Sequence, residues 1–423
     1  MKKRVITVLS CLCLLSNVFA QEHTENDLAE RLAKLEQESK KQNDALLKLQ
    51  KLKISGYIQA QYQWGQKDAS LKVGAPNENP EESFNRIGIR RGRIKFTYEE
   101  GITSGVFQLD ITEKGVSFRD AYFNIKDPWL KTNALRVGIF DRPFGDEISY
   151  SSSRRESPER STVFQTLFPD ERDLGAMLIL QAAKDSPLNF LKLEAGLFAG
   201  NSIKMETDNR KDFIGHLSAS KKWNTMQLGG GVSYYNGGIY QGTGIVYTMN
   251  GSSFVMSNNP DNRGKFAKRE YVGFDLQFGI KSEIGATQLR TEYLFGKQPG
   301  RESDSRSPNA STLPTHDTYN REFNGGYVIL VQDLGKLPFA AVLKYDWYDP
   351  NTKVSGNGVG LNNTTKADVA QKTFGFGMLW HINPSARLQA YYELNTDEKT
   401  ENLNAYSVNQ KSDVFTLRLQ YKF

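Results

Sequence analysis

The chain has 423 residues and a formal charge of +6, and three of its positives sit together at Lys2, Lys3 and Arg4. The remainder is close to charge balance, which argues against a nucleic-acid partner. Beyond residue 20 no stretch approaches the roughly 18 consecutive apolar residues of a membrane-spanning helix. That excludes a helical membrane protein, but not a barrel whose strands alternate apolar and polar positions.

The first twenty residues have the order of a secretory signal peptide. A basic start leads into the apolar run Val5–Leu15 and then into Val18-Phe19-Ala20, a cleavage site that makes Gln21 the expected first mature residue. The apolar run is too short to cross about 30 Å of hydrocarbon as a helix. Both cysteines, Cys11 and Cys13, fall within this segment. The mature chain is therefore expected to use neither disulfides nor thiolate metal sites.

Residues 21–53 are expected to form a short coiled-coil segment. From residue 24 the stretch is charged and free of Gly and Pro. Leu28, Leu32 and Leu35 step by four and three, and the step continues through Ser39 and Gln42 to Leu46 and Leu49. That is an a/d seam with two polar positions in its middle. A lone surface helix laid on a neighbouring domain is the other outlet for the stripe. Self-association suits it better, because the sequence offers no second helix nearby.

From Ile54 to Phe423 the period is two. In the last segment Phe415, Leu417, Leu419, Tyr421 and Phe423 alternate with Thr416, Arg418, Gln420 and Lys422. The same alternation recurs around Ile94-Phe96-Tyr98, Leu135-Val137-Ile139, Leu191–Leu197, Val272–Phe278, Leu289–Phe295, Phe339–Trp347 and Leu388–Leu394. The connections alternate between short and long polar ones. The long ones include 66–85, 141–173, 236–268, 297–321, 349–371 and 395–411. One apolar face, one wet face, short turns on one side and long loops on the other describe an outer-membrane barrel. The segments number about 16, a size that leaves an aqueous channel. The fold class expected is thus all-β, a transmembrane antiparallel barrel with a short N-terminal helix before it. An even count puts both barrel ends, and the coiled coil, on the periplasmic side. A soluble sandwich or closed barrel would need an apolar interior, which the charged inner face contradicts.

Arginine on a lipid-facing strand position costs several kcal/mol at the membrane midplane. Parity with Ile94, Phe96 and Tyr98 therefore points Arg91, Arg93 and Lys95 into the lumen. They are about 7 Å apart along one face, twice the strand rise. Arg136 and Arg142 also share a parity. Rows of Arg and Lys are how pores favour anions, and the planar guanidinium matches phosphate oxygens. The inner face also carries Asp110, Asp120, Glu194, Asp275, Glu292, Asp346 and Glu393, and acids facing bases across a wall often only pair. The long loop 141–173 holds Arg154, Arg155, Arg160 and Arg172 but has more acids than bases. Folded inward it narrows a channel; folded outward it is a surface loop.

Short segments along this part of the chain resemble one family. Gly56-Tyr57-Ile58-Gln59, Arg90-Arg91-Gly92-Arg93, Arg142-Pro143-Phe144-Gly145 after Gly138-Ile139-Phe140, Glu159-Arg160-Ser161 and Arg172-Asp173-Leu174-Gly175-Ala176 occur in the order found in the phosphate-selective porin O and P family. The resemblance spans about residues 54–423. It implies a homotrimeric 16-stranded porin in outer-membrane lipid, an inward third loop, and an arginine ladder and lysine cluster for small anions such as phosphate. The ladder maps onto Arg91 and Arg93. Two other readings stand beside it, a non-selective porin and a structural tether using the barrel as an anchor. The histidines His23, His216, His316 and His381 are scattered without ligand spacing, and no nucleophile–base pairing is evident. Neither a cofactor, a metal nor catalysis is expected. Gly229-Gly230-Gly231 lies in a strand-like context and reads as a close packing point or a bend.

Overall fold

A computed structural model describes residues 28, 30–46, 48, 50–307 and 315–423. The segment 1–20, read as a signal peptide, lies outside the described residues, as does Leu49 of the leucine stripe. The chain divides into two units, Met1–Lys53 and Ile54–Phe423. In the first, residues 30–46 form a helix, α1. Leu28, Leu32, Leu35 and Leu46 are all more than half exposed along it.

The second unit is one closed antiparallel barrel of 16 strands. The wall begins with β1 (Leu52–Gly65), β2 (Phe84–Glu100), β3 (Thr103–Thr112), β4 (Gly115–Lys126) and β5 (Ala134–Asp141). It continues with β6 (Arg172–Gln181), β7 (Leu191–Phe198), β8 (Asp212–Lys222) and β9 (Met226–Tyr240). A hairpin, β10 (Ile245–Asn250) and β11 (Ser253–Asn258), stands in the next long connection and is not part of the wall. The wall resumes at β12 (Phe266–Ser282), which pairs directly with β9. It runs through β13 (Gly285–Gly300), β14 (Thr318–Asp333), β15 (Phe339–Asp349), β16 (Gln371–His381), β17 (Ala386–Asp397) and β18 (Val414–Lys422). Pairing of β18 with β1, from Tyr57 opposite Lys422 to Gly65 opposite Val414, closes the ring. Closure leaves no wall strand with an open edge. No helix among the described residues is long and apolar enough to cross a membrane.

The alternation seen in the sequence sorts side chains as expected. In β18, Leu417, Leu419 and Tyr421 are exposed outward, while Thr416, Arg418 and Gln420 are buried inside. In β17, Arg387, Gln389 and Tyr391 are buried and Leu394 is exposed.

The interior differs from a uniformly wet lumen. The connection between β5 and β6 folds into the barrel and carries a short helix, α2 (Thr162–Leu167). Phe144, Ile148, Val163, Phe164, Leu167 and Phe168 from this loop join inward apolar residues of the wall, among them Phe198, Tyr235, Tyr271, Phe323 and Tyr327, in one buried cluster. The inner faces of these strands are aromatic because the loop covers them. Burying each such side chain is worth about 1.5–3 kcal/mol, so the cluster is a strong anchor for the loop. The loop enters through the turn at Phe144-Gly145. Gly145 has φ +62, and a Cβ there would lie 1.9 Å from a Glu292 carboxylate oxygen, so only glycine fits. Gly231 in β9 likewise makes room for the pair His216–Asp275 (3.0 Å), which accounts for the glycine run as close packing.

The long connections pack on one another. Val354, Val359 and Val369 form a small separate core with Met249, Leu403 and Tyr406. Arg321 and Asp368 pair at 2.8 Å with both side chains fully buried, and the guanidinium also donates to the Arg301 carbonyl oxygen (2.8 Å) and lies over Phe254 and Tyr319. Removing one partner of such a pair costs about 3–5 kcal/mol. Arg321→Met is therefore expected to open residues 350–370 to limited proteolysis and leave the barrel intact. Unchanged cleavage kinetics would show that the valine core alone holds these loops.

Candidate functional site

Strand direction sets the ends of the barrel. The connections after β1, β5, β9, β13, β15 and β17 are long, and those on the opposite rim are short. The inward loop lies between two cavities. One, of about 420 Å³, is lined by Lys72 and Arg306 from long connections and by Lys114 from the two-residue turn on the same rim. The other, of about 530 Å³, is lined by the short-turn residues Trp223, Asn224 and Thr225, with Arg154, Lys222 and Arg290.

The loop docks through its acids. Both Glu159 oxygens are occupied: Oε1 accepts from Arg90 Nε (2.8 Å) and Arg418 Nη2 (2.9 Å), and Oε2 from Arg90 Nη2 (2.8 Å) and Arg91 Nη2 (2.9 Å). Burial pushes this carboxyl up, but the guanidiniums of Arg90, Arg91 and Arg418 outweigh it and hold it well below the ordinary carboxylate range. Glu147 accepts from the Ser161 backbone N–H and hydroxyl and from Lys344 (3.3 Å). Glu156 pairs with Arg290 of β13 and accepts from the Tyr150 hydroxyl (2.9 Å). Glu171 is bridged to Arg119 of β4 (3.0 Å), to Arg160 and to Arg172 (2.6 Å). An acidic loop thus sits against a basic wall, which explains its excess of negative charge.

This docking sorts the candidate cations. Arg91 is bound to Glu159 and Gln59. Arg93 pairs with Asp110 at 3.3 Å and lies over the Tyr57 ring. Arg136 donates to Asn124 (2.9 Å) and stacks on Tyr122. Arg142 is buried, donates to the carbonyl oxygens of Glu171 (3.2 Å) and Pro169 (2.9 Å), and closes the neck of the loop. Arg160 donates to the carbonyl oxygens of Glu147 and Ile148 and holds Glu171. Arg172 pairs with Asp120, Asp141 and Glu171. Lys95 is half-buried and has no ion pair among the described residues. Arg154 is exposed over Tyr150 at the short-turn cavity, and Arg155 is buried in the middle of the loop.

The long-loop cavity has seven basic side chains against four acidic ones on its walls. Subtracting the pairs above leaves Lys72, Lys114 and Arg306 without an ion pair among the described residues, against Asp170. Sequence reasoning did not single out these three. Lys72 and Arg306 lie in long connections, where no periodicity assigns a face, and Lys114 lies in a turn. Among the described residues no group of three or more His, Cys, Asp or Glu is placed to hold a metal.

The arrangement is that of the porin class of fold: a closed 16-stranded antiparallel barrel with one loop folded into its lumen. Comparison with protein-family models and with curated proteins gives no match. Solved structures do match. An anion-selective porin from Comamonas acidovorans aligns with a TM-score of 0.52 at 10% identity, over 88% of this chain and 99% of that one. The outer-membrane channel DcaP of Acinetobacter baumannii aligns with a TM-score of 0.51 at 11% identity, over 88% and 97%. The trimer form of OmpT, an outer membrane protein of Vibrio cholerae, aligns with a TM-score of 0.50 at 10% identity, over 88% and 99%. At these identities the likeness is one of fold.

Proposed function

We propose that the chain is a passive diffusion channel of a bacterial outer membrane that favours small anions such as phosphate, and that it is not an enzyme. The observation that carries the preference is the set of cations without an ion pair among the described residues, Lys72, Lys114 and Arg306, around the long-loop cavity. Unpaired charge in a cleft with low-dielectric walls concentrates counter-ions; charge already paired does so far less. The paired arginines Arg91, Arg93 and Arg160 then position the loop and line the route, with Arg154 and Lys222, which have no ion pair among the described residues, at the other end. An anion-selective porin and a trimeric one among the structural neighbours support the reading. The barrel is proposed to work as a homotrimer in outer-membrane lipid, with the leucine stripe of α1 forming a periplasmic coiled coil between its three copies.

A non-selective porin is the second reading, favoured by the extensive pairing of lumen arginines. Zero-current potentials of the purified protein in a planar bilayer separate the two. The expected result is conductance steps in threes, a reversal potential on the anion side in a salt gradient, and block of chloride current by added phosphate. A reversal at zero without block makes the channel non-selective. Folded protein that gives no steps makes the barrel an anchor.

A further inference from the structure

The cavity at the short-turn end has a wall that packing alone does not explain. Four adjacent strands set Lys222, Gln227, Gly279 and Gln288 in one row, with Lys222 opposite Gln227, Gln227 opposite Gly279 and Gly279 opposite Gln288. All four face inward, because they share parity with the buried His216, Ser233, Asp275 and Glu292 of their own strands. The row borders the cavity of about 530 Å³. Gln227 and Gln288 are exposed to it, and their amides have no hydrogen-bond partner among the described residues. Nothing in the fold demands the glycine between them. Gly279 is not among the residues with positive φ, and a Cβ there would lie 3.8 Å from its nearest neighbour, the Gln227 Cβ, an ordinary contact. The missing side chain leaves a hollow between two glutamines that stand two strand spacings, roughly 10 Å, apart.

The inward loop supplies a positioned cation to the same cavity. Arg154 lies over the Tyr150 ring at 5.0 Å, the Tyr150 hydroxyl donates to Glu156 (2.9 Å), and Glu156 is paired with Arg290 of β13. The Arg154 backbone is held as well, since its N–H donates to the Ser151 carbonyl oxygen (2.9 Å) and its carbonyl oxygen accepts from Arg387 (3.1 Å). Its guanidinium has no acceptor among the described residues, and its planar fork matches phosphate oxygens. Lys222 and Lys281 border the cavity without an ion pair among the described residues, and Asp146 is the one acid on its walls. The volume falls within the roughly 300–1,000 Å³ of small-molecule sites. The charge calls for an anion. Amides that both donate and accept, placed on either side of a hollow, call for hydroxyl groups. Bare phosphate would use the guanidinium and leave both amides to water.

We propose that the short-turn cavity binds a sugar phosphate, with the phosphate on Arg154 and the sugar hydroxyls between Gln227 and Gln288 over Gly279. The site is distinct from the long-loop cations. Binding there does not depend on whether the channel selects anions, and its test does not read current.

The full-length protein in detergent would be titrated calorimetrically with glucose 6-phosphate, inorganic phosphate and glucose. Glucose 6-phosphate should bind about tenfold or more tighter than inorganic phosphate, the factor that one or two further hydrogen bonds of ordinary net strength supply. Glucose, which lacks the charge, should bind more weakly than glucose 6-phosphate. Gly279→Val fills the hollow where the fold has room for it, and should remove the advantage of the sugar phosphate while leaving inorganic phosphate unchanged. Arg154→Gln should weaken the binding of glucose 6-phosphate. K72E/K114E/R306E should keep the advantage. Equal affinity for the two phosphates in the wild type, or no heat from glucose 6-phosphate, overturns the proposal. So does an advantage that survives Gly279→Val or disappears in K72E/K114E/R306E, since either places the sugar elsewhere. If Gly279→Val does not fold, Q227A/Q288A, which changes only exposed side chains, decides by the same loss of advantage.

Discussion

Reversing the charge of Lys72, Lys114 and Arg306 together, as K72E/K114E/R306E, is expected to turn an anion-preferring channel into a cation-preferring one. The permeability ratio should change by about tenfold or more, since a charged cleft alters local counter-ion concentration by factors of about 10 to 1000. The wall should still fold, because the barrel's ladder bonds do not involve these side chains and Lys114 and Arg306 are exposed. The control is the paired exchange R93Q/D110N, which removes both charges of a bound pair and leaves the net charge of the lumen unchanged. Its effect on the ratio should be several times smaller. A larger shift from R93Q/D110N than from the triple variant would return selectivity to the wall arginines. The wild type carries its own pH test. Burial lowers the Lys72 ammonium below the ordinary lysine range of about 10.4, with Glu159 opposing. A lysine with a lowered value loses its charge earlier as pH rises. Anion preference should therefore begin to fall on the alkaline side before the other lysines titrate, and Lys72→Met should remove that early part of the decline.

The barrel was legible in the sequence because lipid and water impose opposite demands on successive residues. Leu417, Leu419 and Tyr421 against Thr416, Arg418 and Gln420 state the strand, its period and its two faces without any tertiary information. Alternating connection lengths state the ends. What periodicity cannot show is which inward residues meet a loop instead of water. Phe198, Tyr235, Tyr271 and Phe323 occupy inward positions, and their aromatic character makes sense only with Phe144 and Phe168 folded onto them. The hairpin β10–β11 was hidden for a similar reason. It is anchored by a parallel pairing of Val246–Thr248 with the start of β14 and by the stacked rings of Tyr247 and Tyr319, contacts between segments about seventy residues apart.

For the candidate site, parity placed Arg91 and Arg93 inside but was silent about their partners. Whether a lumen arginine is free depends on carboxylates distant in sequence, such as Glu159 for Arg91 and Arg418. Composition gave one useful signal. The negative balance of the 141–173 loop is difficult to reconcile with an anion trap, and becomes intelligible once its acids are the pins that fix it to a basic wall. The free cations were in segments where sequence carries no orientation.

The second large effect follows from those pins. Glu159→Gln is expected to release the middle of the inward loop while its two ends stay in place. The ends are held by apolar contacts, with Phe144 against Phe168 and Tyr271 at one side and Phe164 against Phe168 and Tyr327 at the other. Between Ser151 and Arg160 the only non-polar side chain is Pro158, so this stretch depends on polar bonds. The substituted amide would offer one acceptor oxygen and set an NH₂ group against guanidiniums that also only donate. Arg90, Arg91 and Arg418 would lose their shared counter-charge at a buried site, a loss of about 3–5 kcal/mol. That exceeds what hydrogen bonds from Gln59, Gln389 and Gln420 to the loop backbone, each worth about 1 kcal/mol net, can individually restore. Limited trypsin digestion read by mass spectrometry should show new cleavage at Arg154, Arg155 and Arg160 and none in the barrel wall, together with larger current fluctuations in the bilayer. The wild type should resist acid in the same assay. A carboxyl whose folded value is depressed contributes its full stabilisation above the unfolded value of about 4.3 and loses it only as pH falls through the depressed value. The loop should therefore remain protected at pH 4, probed with an acid protease. If Glu159→Gln is cleaved no faster than the wild type, the apolar ends alone fix the loop and the arginine cluster has some other purpose. If protection is lost in the variant and kept by the wild type at pH 4, one carboxylate shared among three arginines sets the width of the channel.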